Sequence, residues 1–289
     1  MKKVLISLII LAFAFTILPA SLYSNSIKTE VTVSVLVETT ASGDGTVNWG
    51  DGTVRATGTG VPPTGVPAPQ ARLMAKRAAV ADAYRLLAEA VNGVKVDAET
   101  LVKNYVTESD TIKTKVSALV KGAKIVDEKR MSDGSYEVTM EISMYGDDSL
   151  ADAVLEDKLK AGGEREIGVN FQEISGEKTG LIIDARGLKI SPAMSPKILD
   201  EKGKELFGTF ATIDADYVVA NGIVDYAASL DEAKKSGRAG SDPMIIKGVK
   251  AGKDPFKANV IVKTSDADDV KEANSGPHFL EGARVVIVI

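Results

Sequence analysis

The chain has 289 residues, a formal net charge of −5 and no cysteine. The lack of cysteine excludes disulfides, thiolate metal sites, cysteine nucleophiles and the lipidated cysteine that anchors a bacterial lipoprotein. An acidic chain without a basic run has no electrostatic footprint for nucleic acid, and we expect neither a metal nor another cofactor.

The first 24 residues predict a secretory signal peptide. Lys2 and Lys3 precede an apolar run from Val4 to Ile17, and Ala20 and Ser24 offer small-residue cleavage points. The run is shorter than the roughly 20 residues that span a bilayer, so an uncleaved anchor is the less favoured alternative. We therefore expect an exported protein that is periplasmic or associated with the outer membrane.

The next residues carry strand and hairpin signals. Alternation from Ile27 to Thr39 predicts a strand, and two Asp-Gly pairs delimit short strands over Thr46–Trp49 and Thr53–Thr59. A calcium loop is the alternative interpretation of Asp44 and Asp51, but no acidic residue is placed to close an EF-hand.

The stretch from Gln70 to Gly93 predicts a long helix over 70–92 with a glycine cap. Small alanines on one side would let its backbone approach a sheet closely. Five large residues fall on one narrow apolar line: Leu73, Val80, Tyr84, Leu87 and Val91. Five neighbouring residues widen this line into a broad apolar face: Ala75, Ala79, Ala83, Leu86 and Ala90. Gly58 and Gly60 do not form a dinucleotide-binding loop, because prolines intervene before this helix.

Two short helices and a hairpin follow the long helix. Asp97 predicts the cap of a helix over Ala98–Tyr105, and Ser109 predicts the cap of another over Asp110–Lys121. A hairpin is predicted between two strands that flank Asp133-Gly134, namely Ala123–Arg130 and Ser135–Met144. Residues 25–146 are thus expected to form a helix-on-sheet domain, and the polar stretch 147–178 a linker region.

Residues 179–289 predict a second domain of α/β or α+β type. Its first strand, Thr179–Ala185, and its last, Arg284–Ile289, are apolar enough to be buried, and we expect the last to be central. Between them we predict strands at Lys197–Leu199, Glu205–Phe207, Tyr217–Val219, Met244–Lys250 and Ala258–Lys263, with helices at Leu230–Ser236 and from Ser265 to Glu272. The predicted fold class is α+β with two domains, each a mostly antiparallel or mixed sheet with helices packed on it.

Few residues suggest chemistry. His278 is the only histidine, and neither a nucleophile elbow nor a set of zinc ligands accompanies it. Asp184 and Arg186 follow a buried strand, where Arg186 could bind an anion and the pair could contact a partner; the alternative is a pair that braces the turn. We therefore expect no catalytic residues. Two groups of aspartates could be carboxylate clusters: Asp214 with Asp216, and Asp266 with Asp268 and Asp269. The second group lies in the first turn of a predicted helix, where negative charge is favoured, so general acid–base work is the less favoured interpretation.

Three runs carry a family resemblance: ATGTGVPP, QARLMAKRAAVADAYRLLAE and VKGAKIVDEKRMSDGSYEVTMEISMYG. Over about residues 52 to 146 the chain resembles the LPP-twenty-like outer-membrane lipoprotein family and the N-terminal domain of flagellar assembly protein T. The run GLIIDARGL is similar to a region beyond this domain in exported bacterial relatives. The resemblance implies a cell-envelope protein, in several cases part of a flagellar scaffold, and implies no catalytic residues. This chain departs from the lipoproteins because it lacks the acylated cysteine.

These observations predict a non-enzymatic exported cell-envelope protein that acts as an assembly subunit or adaptor, with the flagellar motor or the outer membrane as its expected place. Its partners would be other envelope proteins, flagellar components among them, or further copies of itself, and any membrane association would be peripheral. The alternative is a periplasmic module that binds a small ligand or anion through Arg186 and the loops around Ser191–Ser195. A hydrolase is the third interpretation.

Overall fold

The computed structural model describes residues 36–40, 43–161, 178–208, 213 and 215–289, without the side chains of 156–161. The predicted signal peptide, most of the predicted strand from Ile27, and residues 162–177 lie outside the described residues. So does Asp214.

The first sheet has five strands in the order β1-β2-β3-β5-β4, all paired antiparallel. Its inward side chains include Val54, Val138 and Met140, which are buried beneath a long helix. The strands are β1 (Val37–Thr39), β2 (Gly45–Asn48), β3 (Thr53–Gly60), β4 (Lys124–Arg130) and β5 (Tyr136–Ser143), and the helices of this part are α1 (Ala68–Asn92), α2 (Val102–Glu108) and α3 (Asp110–Lys121).

The second sheet has seven strands and is mixed, in the order β8-β7-β11-β10-β6-β12-β9. Strands β6 and β12 pair in parallel, and both are buried on their two faces, as the apolar runs predicted. The strands are β6 (Gly180–Asp184), β7 (Ile198–Asp200), β8 (Glu205–Phe207), β9 (Asp225–Ala227), β10 (Pro243–Ala251), β11 (Val260–Val262) and β12 (Val285–Val288). The two sheets with packed helices confirm the predicted α+β fold class.

The long helix α1 forms as predicted, and its buried face contains the predicted alanines together with Leu87 and Val91. Ala75, Ala79 and Ala83 are fully buried, because β3 presents glycine to them: a Cβ on Gly58 would lie 2.0 Å from the Ala83 nitrogen, and one on Gly60 would lie 2.0 Å from the Ala75 carbonyl oxygen. The placement of Leu73 on the buried line was wrong, since its side chain is 62% exposed. Because the alanines of α1 pack tightly on β3, Leu73 at the start of the helix faces solvent.

Two local predictions were wrong. The Asp97 carboxylate caps a turn, accepting hydrogen bonds from the amides of Glu99 and Thr100, and the helix begins later, at Val102. The predicted strand at Tyr217–Val219 is instead part of a helix. The remaining helices are α4 (Leu150–Ala161), α5 (Ala215–Asn221), α6 (Leu230–Lys235) and α7 (Thr264–Asn274).

Helix α4 lies in the stretch predicted as a linker region and connects the two sheets physically. It packs against α3 of the first part and α5 of the second. Leu150, Val154 and Leu155 are fully buried, and they belong to a core that also contains Met144 and Val218. The hydrophobic core is therefore continuous from the first sheet to the second. None of the helices in the described part of the chain has the length and hydropathy needed to cross a bilayer.

Candidate functional site

The predicted pair at the end of β6 is a closed ion pair. The Arg186 Nε donates to Asp184 Oδ1 and its Nη2 donates to Asp184 Oδ2, both at 2.8 Å. These hydrogen bonds lower the pKa of the Asp184 carboxyl, although partial burial acts in the opposite direction. The pair therefore stabilises the turn at neutral pH, and this contribution is lost in acid as the pH falls through the lowered pKa. Because two of its N–H donors bind Asp184, Arg186 has fewer donors available to bind an anion.

The loop around Ser191–Ser195, which the alternative interpretation assigns to ligand binding, forms a contact between the two parts of the chain. The Met194 amide donates to the Lys95 carbonyl oxygen at 3.0 Å, and the Ser195 amide donates to the Val96 carbonyl oxygen at 2.8 Å. The backbone of the second part thus continues the hydrogen bonding of the segment that follows α1. We call this contact the interdomain seam.

Glu38 is the polar centre of the seam. Its carboxylate accepts two hydrogen bonds from Lys95 Nζ at 2.7 and 2.6 Å, one from Trp49 Nε1 at 3.2 Å and one from Ser191 Oγ at 3.0 Å. Three donors from three distant segments meet on one side chain. The Lys95 and Glu38 side chains retain 18% and 32% of their exposure, so the ion pair is largely shielded from solvent.

Tyr226 on β9 completes the seam from beneath. Its hydroxyl accepts a hydrogen bond from the Ala193 amide at 3.0 Å and donates one to the Ala193 carbonyl oxygen at 2.9 Å. The ring meets Trp49 edge to face, with 6.0 Å between ring centroids. Burial raises the pKa of the Tyr226 hydroxyl, which keeps its proton available for the donated bond. The seam is accordingly a satisfied structural contact.

Replacing Glu38 by glutamine is expected to lower the free energy of unfolding by about 1–2 kcal/mol, because the Lys95 ammonium loses its counter-charge in a shielded site. Urea denaturation followed by circular dichroism measures this loss. Glu89→Gln is the matched control, since Glu89 is half exposed and 3.8 Å from Arg85. Equal stability of the two variants would contradict the role given to Glu38.

The other predicted positions are dispersed. His278 lies in a turn with a positive φ of 52°, with its side chain 55% exposed and its Nδ1 3.9 Å from Glu281. Asp266 and Asp268 lie in the first turns of α7, where negative charge is favoured, and Asp268 is paired with Lys271. Among the described residues, no group of three or more His, Asp or Glu side chains is arranged to hold a metal ion.

A shallow polar groove of about 330 Å³ lies on the outward face of the first sheet. Threonine hydroxyls line it, and Thr57 and Thr139 share a hydrogen bond of 2.8 Å. The charged side chain of Arg55 at its wall is paired with Glu141. The described lining residues bring together no nucleophile and base, so this groove offers hydrogen bonding but no evident reaction.

The outer edge of the first sheet leaves a strand unpaired on one side among the described residues. Strand β4 is an edge strand, and all seven of its residues are exposed. One ion pair links this strand to helix α1, with 2.8 Å between Lys76 Nζ and the Glu128 carboxylate. We call the exposed apolar side chains along this flank the β4 edge patch: Leu73 at 62%, Ile125 at 49%, Val126 at 46% and Met131 at 41%.

Sequence reasoning missed the β4 edge patch. The hairpin was predicted, but the order of strands that places β4 at the edge comes from pairing between β3 and β5, which are about eighty residues apart in the chain. One signal was present: Ile125 and Val126 are adjacent, so they cannot both follow the alternation of a strand with one wet face. The register does shift between Ile125 and Asp127.

Comparison with known families gives two matches. Residues 62–143 match the family model of the LPP20 lipoprotein, which confirms the resemblance read from the helix and hairpin runs. Residues 180–289 match the family model of the second domain of Treponema pallidum Tp0624. A comparison with curated proteins gives no match. The lipoprotein match agrees with the expected place of the chain in the cell envelope.

Proposed function

We propose that this chain is a non-enzymatic envelope protein that works by assembly, and that the β4 edge patch is its assembly surface. The observation that supports this most is the coincidence of an unpaired strand edge with exposed aliphatic side chains. An exposed strand edge presents backbone N–H and C=O groups ready to pair with another chain, and soluble proteins normally protect it. Burial of Leu73, Ile125 and Val126 on assembly would add hydrophobic stabilisation.

The charges on β4 support a specific partner over indiscriminate association. Lys124, Asp127, Glu128, Lys129 and Arg130 alternate with or follow the aliphatic residues. These charges disfavour pairing with a strand whose charges are not complementary, and they favour pairing with a strand whose charges are. In an antiparallel pairing of two copies about Val126, Lys124 of each copy would lie opposite Glu128 of the other, which is an attractive arrangement. A second copy therefore fits this edge.

The predicted alternative, a ligand or anion-binding module, receives less support from the contacts. Its expected loop is engaged in the interdomain seam, and its expected arginine is held by Asp184. The LPP20 match and the resemblance to flagellar assembly protein T make the outer membrane and the flagellar motor the envelope structures to examine first for a larger assembly.

The proposal is tested with the double variant Leu73→Lys/Val126→Lys. Light scattering after size-exclusion chromatography is expected to show an assembly for the parent chain and a monomer for the double variant, because two buried ammonium groups would face the incoming strand. The control is Ile245→Lys, which adds a lysine on the other sheet at an aliphatic position that is 42% exposed, close to the 46% of Val126. A parent that is strictly monomeric and captures no envelope partner, or a double variant that assembles like the parent, would reject the proposal.

A further inference from the structure

One face of the second sheet is covered unevenly. Helix α6 packs over β6, β12 and β9, where Ala233 joins a small core with Ile182 and Val286. Helix α7, which follows β11, contributes Ala267 and Val270 to the other core, together with Ile246 and Val260 of the inward face. The outward face of β10, β11 and β7 is therefore open within the described part of the chain.

Strand alternation defines which side chains occupy this open face. Ile246 on β10 is buried, and a Cβ added to Gly248 would meet Leu188 and Val260, so both positions point inward. Their neighbours Ile245 and Lys247 consequently point outward, and a register shift between Gly248 and Lys250 brings Lys250 outward as well.

The neighbouring strands extend the same surface. Ile261 lies opposite Lys250, and Leu199 lies opposite Ile261 in the parallel pair of β7 and β11. Lys197, two residues before Leu199, is paired with Glu205 at 2.9 Å. We call this surface the open lysine face, made of Lys197, Leu199, Ile245, Lys247, Lys250 and Ile261.

The charge of this face opposes that of the whole chain. Lys247 and Lys250 are exposed, and no ion pair with another described residue engages them. Asp184, the acid nearest to Lys247 in the register, already binds Arg186. A local excess of positive charge on a chain of net charge −5 is attractive to an anionic partner.

The mixture of side chains points to the kind of anionic partner. Three aliphatic residues share this sheet surface with the lysines: Ile245 is 42% exposed, and Leu199 and Ile261 are half-buried. Lysines near an anionic membrane are drawn to lipid phosphates, and aliphatic side chains enter the boundary below the headgroups. We propose that the open lysine face docks this protein peripherally on a bilayer that contains anionic phospholipids. Such docking would hold the chain at an envelope membrane without an acylated cysteine, and it is independent of the β4 edge patch.

The test is sedimentation of residues 25–289, the chain without its predicted leader, with phosphatidylcholine vesicles that do or do not contain phosphatidylglycerol. The parent is expected to bind only the anionic vesicles and to be released by salt. Lys247→Gln/Lys250→Gln is expected to bind about 25-fold more weakly, since one lysine near an anionic surface contributes about fivefold. The control Lys103→Gln/Lys113→Gln removes the same charge from exposed positions on α2 and α3.

Each outcome decides the proposal. Selective weakening of the variant at the open lysine face, with an unchanged melting temperature, supports it. Equal binding of the two double variants would show that only net charge matters, and it would reject the face. Failure of the parent to bind anionic vesicles, or equal binding to vesicles of pure phosphatidylcholine, would also reject it.

Discussion

Gly58→Ala is expected to cost about 3 kcal/mol or more of the free energy of unfolding, at or above the upper end of the usual range for overpacked cores. The added methyl would lie 2.0 Å from the Ala83 nitrogen and 2.4 Å from the Ala79 carbonyl oxygen. These are backbone atoms in the middle of α1, so no side-chain rotation can relieve the contact. The helix must move off the sheet, and that movement opens gaps around Val54 and Val138.

Urea denaturation monitored by circular dichroism measures this effect as a lower midpoint. Gly276→Ala is the matched control, because nothing lies within 4 Å of its added Cβ. Alanine at such a position has no contact to disturb, so stability should stay nearly unchanged. Comparable losses for the two variants would mean that the close approach of α1 to β3 does not limit the residue at position 58.

Ile287→Asp is expected to abolish cooperative folding of the second sheet. Ile287 is fully buried on β12, between Ile183 on β6 and Tyr226 on β9. Loss of the buried side chain costs about 1.5–3 kcal/mol, and an unpaired buried carboxylate adds about 3 kcal/mol or more. This sum is comparable with the total stability of a domain, about 5–15 kcal/mol.

The control for this prediction is Ile245→Asp, the same change on the same sheet at a position that is 42% exposed. A surface change of this kind is usually worth no more than about 0.5 kcal/mol. Thermal unfolding and limited proteolysis separate the two cases: Ile287→Asp should lose its transition and be cleaved across residues 180–289, while Ile245→Asp should resemble the parent. Resistance of Ile287→Asp to protease would show that β12 does not hold this sheet together.

The continuous core suggests how far such damage spreads. Met144 and Leu150 belong to the same buried cluster as Ile183 and Ile287. The seam adds the Glu38 contacts and the Tyr226 hydroxyl to this apolar connection. A variant that unfolds the second sheet should therefore also lower the stability of the first, which a tryptophan fluorescence melt reports through Trp49 at the seam.

Several elements were predictable because their signals are local. Ser109 caps α3 with its side chain, as its position before a helical pattern predicted, and Ser229 caps α6 in the same way. The hairpin of β4 and β5 needs only alternation and the turn at Asp133-Gly134. The same reasoning failed at Asp97, where a capping residue found its donors in a tight turn and left the helix to begin later.

By itself the sequence determined the long helix, the hairpins, the buried strands β6 and β12, and the lack of thiol chemistry, because each depends on neighbouring residues or on composition. Only the tertiary structure decided that Leu73 at the start of α1 is exposed, that Ser191–Ser195 contacts Lys95 and Val96, and that β4 and the outward face of β10 stay open. These features depend on contacts between residues far apart in the chain, and the local sequence around a residue does not indicate which distant residues will contact it.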